Sequence, residues 1–150
     1  MAATALRLTR IIAAPPDAVF DAWLEPDTVR QWLFVGAASL IMRATVEPRV
    51  GGRFSIVERN GDEEIDHFGE YLEIERPRRL AFTLQVPRHF PGVTRVTIDI
   101  ALTAGGSAMT FTQEGVKPEV TEGNWRDMFN TLGGLLSRNE RARWARAVGQ

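Results

Sequence analysis

Two histidines, a run of carboxylates and four tryptophans are the residues of this 150-residue chain whose chemistry matters most. His67 follows Asp66 and lies close to Asp62, Glu63 and Glu64. Inside a pocket, an imidazole beside a carboxylate could act as a base held in one tautomer. In an acidic hairpin the same residues give a solvent-exposed histidine, and the local charge density favours that reading. His89 stands in Pro87-Arg88-His89-Phe90-Pro91, a loop that either borders a pocket mouth or is plain surface. The histidines lack a metal-ligand spacing such as H-E-x-x-H, so no metal site is expected. Adjacent acids such as Asp62, Glu63 and Glu64 usually form a solvated edge rather than a cation site. The chain has no G-x-S-x-G elbow, no P-loop and no dinucleotide fingerprint, so no catalytic residue or cofactor is assigned. An enzyme of cyclase or hydrolase type would have to use His67, Glu70, Tyr71 or Asn124, and would need them to converge.

Composition narrows the classes. Charged residues make up 25% of the chain and apolar residues 44%, as in ordinary globular domains. A net charge of −1 with interspersed signs gives no basic face for nucleic acid. The absence of cysteine excludes disulfides, zinc–thiolate sites and cysteine nucleophiles. Arg7 and Arg10 interrupt the apolar positions near the N-terminus, which argues against a signal peptide. No apolar run approaches the length of a membrane span. The expectation is one domain over residues 1–150, cytoplasmic, as a monomer or homodimer.

These side chains need a scaffold, and the last one dominates it. From Trp125, the apolar residues Met128, Phe129, Leu132, Leu135 and Leu136 recur with helical spacing, which predicts a helix over Glu119 to Arg138. Val120 is counted with that stripe. Gly133 lies at its border, where a missing side chain could allow close packing. The tail from Arg138 is basic and has lost the stripe. Ahead of this helix the chain reads mostly as strands. Leu6, Leu8 and Ile12 alternate in the first; Pro15-Pro16 open a short helix that Pro26 stops, and Asp27 is the N-cap of a second. A strand is expected over Arg43 to Pro48, with the class of Ala38 to Met42 open. Asn60-Gly61 predicts a type I′ hairpin. The strand after it should bury Phe68, Leu72 and Ile74, with Tyr71 on the other parity. Leu80 to Val86, Val96 to Leu102 and Ser107 to Gln113 supply three more alternating runs.

This order of elements, with Ala14-Pro15-Pro16-Asp17-Ala18-Val19-Phe20-Asp21-Ala22-Trp23, Gln31-Trp32 and Val50-Gly51-Gly52-Arg53-Phe54, resembles the START-like helix-grip superfamily. So do Gly69-Glu70-Tyr71-Leu72-Glu73-Ile74, Pro77-Arg78-Arg79-Leu80-Ala81-Phe82-Thr83, Thr112-Gln113-Glu114-Gly115 and Gly123-Asn124-Trp125. The branch it resembles is the one named for the activator of the 90-kDa heat-shock-protein ATPase. Trp32-Leu33 stands where relatives usually show paired tryptophans, and Gly133-Gly134 where a stronger helix former would be expected.

The resemblance implies an α+β helix-grip fold: a curved antiparallel sheet of six or seven strands around a long C-terminal helix, with two short helices after the first strand. It also implies a cleft between sheet and helix for a small hydrophobic or aromatic ligand. Trp32, Phe54, His67, Phe82, Ile98, Phe111, Trp125 and Met128 are its candidate lining, although the apolar ones would equally make an ordinary core. Superfamily members include lipid carriers, cyclases, hormone receptors and chaperone partners. Ligand binding is therefore the reading adopted, beside an enzyme acting in the same cleft or a chaperone-associated module.

Overall fold

The computed structural model describes residues 4–148. Strand β1 (Ala5–Ile12) buries Leu6, Leu8 and Ile12 on one face, as their alternation requires. Pro16 occupies the first turn of helix α1 (Pro16–Ala22), where its missing N–H leaves no bond unmade. Helix α2 (Pro26–Trp32) also opens on a proline; Glu25 is its N-cap, and Asp27 lies in the first turn instead. Two helices this short cannot bury their own tryptophans. Trp23 and Trp32 meet edge to face with centroids 4.7 Å apart, and Trp23 also packs on Phe82, Trp125 and Phe129.

Strand β2 (Leu40–Val46) starts earlier than expected, because a bulge between Ile41 and Arg43 breaks the alternation that would have shown it. Strands β3 (Arg53–Asn60), β4 (Glu63–Glu75), β5 (Arg79–Leu84), β6 (Thr94–Thr103) and β7 (Gly106–Glu114) follow. The seven form one curved antiparallel sheet in the order β1-β7-β6-β5-β4-β3-β2. The first strand thus closes onto the last, beside the helix that follows it. Asn60 pairs with Glu63, so the hairpin loop is Gly61-Asp62. Only Gly61 has positive φ (65°), the pattern of a type II′ turn rather than type I′.

The face of β4 differs from the expected one. Ile65, His67, Gly69 and Tyr71 point inward, whereas Phe68, Leu72 and Ile74 are only half-buried. The partners decide this: Ile56, opposite His67, is itself fully buried on β3. Around Gly69 the strand has both neighbours, pairing with β3 through Glu70 and with β5 from Tyr71. A Cβ there would sit 1.8 Å from the Thr83 carbonyl oxygen, so only glycine fits this bend.

Helix α3 (Pro118–Val148) buries Trp125, Met128, Phe129, Leu132, Leu135 and Leu136 against the sheet. Phe111, at the centre of β7, receives Trp125 and Phe129 with centroids 4.4 and 5.2 Å away. Arg10 of β1 ties down the outer side, donating to the Asn130 side chain at 2.6 Å. Val120 is not part of the stripe: it is 47% exposed, and Thr121 takes the inward position. Nor does Gly133 allow a close approach, since a Cβ there would meet nothing within 4 Å. Beyond Leu136 no described residue of the helix is buried, so the tail leaves the core as expected. Among the described residues, no helix is long and apolar enough to cross a membrane.

Candidate ligand-binding site

A cavity of about 380 Å³ opens between the first turns of α3 and the β3–β4 side of the sheet. Leu84, Val86, Phe90, Trp125 and Met128 supply apolar wall, and Phe34 reaches in from the segment after α2. Phe34 is held at φ 60°, a left-handed conformation that costs a bulky residue about 1–3 kcal/mol. Its surroundings enforce it. The Phe34 N–H donates to the Met128 sulfur at 3.0 Å, and its ring stacks on His67 at 4.2 Å and 11°. Gly36, Asn60, Asn124 and Asp127 border the solvent side.

His67 is one of the buried polar groups of this cavity, only 4% exposed, so the reading of a solvated histidine in an acidic hairpin does not hold. Its Nδ1 lies 3.2 Å from the Ile56 carbonyl oxygen. A carbonyl only accepts, so Nδ1 carries the proton and Nε2 presents a lone pair. Burial lowers the pKa of His67 from 6.5 to about 4, against the opposing pull of the Ile56 carbonyl. The imidazole is therefore neutral at pH 7. Nε2 faces Glu58 Oε1 at 3.8 Å. That separation is too long for a hydrogen bond, and with a neutral ring it is no ion pair.

The floor is polar in one place. Gln113, on the inward parity of β7 with Met109 and Phe111, is fully buried. Its Oε1 accepts from Trp125 Nε1 and from the Thr121 hydroxyl, each at 3.0 Å. Its Nε2 donates to the Thr94 hydroxyl at 3.1 Å, which in turn donates to the Leu84 carbonyl. Every polar atom of the amide used here is satisfied, which fixes the indole of Trp125 at the cavity wall.

The family model described as Activator of Hsp90 ATPase homolog 1-like protein matches residues 13–137. The chain belongs to that family. Among solved structures, a protein of Chromobacterium violaceum superimposes with a TM-score of 0.81 at 25% identity, covering 89% of this chain and 97% of its own. One from Nitrosomonas europaea gives 0.77 at 24% identity, covering 91% and 96%. An AHSA1-like protein of Aeromonas hydrophila gives 0.74 at 20% identity, covering 97% and 94%. No curated protein matches the chain.

In this AHSA1-like chain, three of the eight candidate lining residues border the cavity: His67, Trp125 and Met128. Trp32, Phe54, Phe82, Ile98 and Phe111 are in the packed core instead. Trp32 donates its indole N–H to the Ala22 carbonyl, and Phe54 packs against Tyr71 and Phe82. The four polar residues of the enzyme reading do not converge. His67 and Asn124 border the cavity; Glu70 lies on the opposite parity of β4, and Tyr71 is buried beside Phe54 and Phe82. Phe34, Glu58 and Gln113 escaped sequence reasoning. Gln113 and Glu58 carried a signal, since Gln113 continues the inward parity of Met109 and Phe111 and Glu58 that of Phe54 and Ile56.

Proposed function

We propose that the protein binds a small apolar or aromatic molecule in the cavity between α3 and the sheet. The observation that carries this is a volume of about 380 Å³, within the range of small-molecule sites, walled by Phe34, Leu84, Val86, Trp125 and Met128. Two of the polar groups inside are fixed: Gln113 is hydrogen-bonded through both its amide oxygen and its amide nitrogen, and His67 is held by the Ile56 carbonyl. Such a site rewards apolar contact and offers one nitrogen acceptor, His67 Nε2, to orient the ligand. The fold of the family, typically a ligand-binding one, points the same way. The fuller reading is a single-domain cytoplasmic binding protein, acting as a monomer or homodimer.

Fluorescence titration of tag-free protein with N-phenylnaphthylamine tests this. Saturable binding of one probe per chain is expected. Val120→Trp, placed at the half-exposed mouth of the cavity, should weaken it at least about tenfold without lowering the melting temperature. Absence of saturation, or equal binding by the variant, would remove the cavity as the site.

A further inference from the structure

Two acceptors stand side by side on the β3–β4 wall of the cavity. His67 Nε2 carries a lone pair, because Nδ1–H is committed to the Ile56 carbonyl, and the Glu58 carboxylate oxygen stands 3.8 Å from it. Such an arrangement asks for a cation between them. A third donor is at hand: the ligand atoms of Glu58, His67 and His89 all lie within 4.8 Å of one another.

We propose that Glu58, His67 and His89 form a binding site for one divalent transition-metal ion. Donors around a tetrahedral zinc sit roughly 3.4 Å apart, from bond lengths of about 2.0–2.1 Å. The set therefore has to close by up to about 1.4 Å. His89 can supply that movement, being exposed in the β5–β6 loop, whereas His67 is locked by burial and by its backbone bond. That backbone bond is also what a ligating histidine requires: it fixes the tautomer and aims Nε2. Arg88 pairs with Glu63 and so holds the His89 loop to the β3–β4 hairpin that carries Glu58 and His67.

Two nitrogens and a carboxylate suit zinc, cobalt or nickel rather than calcium or magnesium, which take oxygen ligands. Three protein ligands leave a coordination position open, as in catalytic rather than structural zinc sites. Here that position faces the apolar cavity. Resting on the proposed ligand reading, the class of ligand narrows to an apolar or aromatic molecule with one coordinating oxygen, a carbonyl or carboxylate.

The test is titration of metal-stripped, tag-free protein with Co²⁺ and Zn²⁺, read by calorimetry and by the visible spectrum of Co²⁺. One ion per chain is expected. Glu58→Gln and His89→Ala, both tolerable to the fold by size or exposure, should each weaken binding at least about tenfold and bleach the Co²⁺ band. No saturable uptake, or unchanged affinity in both variants, would overturn the site. Probe binding measured in EDTA reports the cavity alone, so failure of the metal site and failure of the ligand reading are told apart.

Discussion

At the scale of residues, His67 and Gln113 set the character of the cavity. The folded protein disfavours protonation of His67, whose pKa falls from 6.5 to about 4, while the unfolded chain takes up the proton near 6.5. Glu58, Asp66 and His89 are the titratable groups around it. Stability from this residue is therefore complete above about pH 6.5 and declines as the pH falls towards 4, by at most about 3 kcal/mol. Urea unfolding in EDTA at pH 7.5 and pH 5 should show the loss, and His67→Gln should flatten it. A wild-type midpoint that does not move would show the imidazole to be solvated. For Gln113→Leu the expected cost is about 2–4 kcal/mol, because Trp125 Nε1 and the Thr121 hydroxyl lose their acceptor in a dry interior. A loss under about 1 kcal/mol would mean water replaces the amide.

At the scale of elements, α3 was the most legible part of the sequence and β4 among the least. Six large apolar residues at helical spacing can share only one face, so the position of Trp125 followed directly from the pattern. Trp125→Ala should cost about 3–5 kcal/mol, measured by chemical denaturation. A value below about 1 kcal/mol would contradict its burial between Phe111 and Phe34. Gly133 behaves otherwise than its spacing suggested. Gly133 faces open space, and a Cβ at Gly134 meets only the flexible end of Arg138. Gly133→Ala and Gly134→Ala should therefore each stabilise the helix by up to about 1 kcal/mol in thermal unfolding. Destabilisation by Gly133→Ala would reveal a contact the fold does not show. Strand β4 misled because both of its parities carry apolar residues. Phe68, Leu72 and Ile74 outweighed Ile65 and Tyr71 by composition, and only the pairing of Ile56 with His67 settles which face is inside.

At the scale of the whole molecule, the architecture was readable because alternation, turns and one helical stripe each leave local signatures, and their order matched a known family. The site was less readable because it is assembled at long range. Glu58, His67 and His89 come from two strands and a loop, and Phe34 enters through a left-handed backbone that its residue type does not announce. Five of the expected lining residues were large and apolar, the property they share with any core, and the core is where they lie. The cavity opens instead where α3 begins, at the residues that close the sheet's β3–β4 side. Backbone amide NMR of uniformly labelled protein during N-phenylnaphthylamine titration tests that placement most directly. Saturable shifts should gather at Phe34–Gly36, Val86–Phe90 and Val120–Met128, around His67. Shifts centred instead on Phe54, Phe82 and Ile98, or the absence of any saturable shift, would contradict a ligand site beneath the first turns of α3.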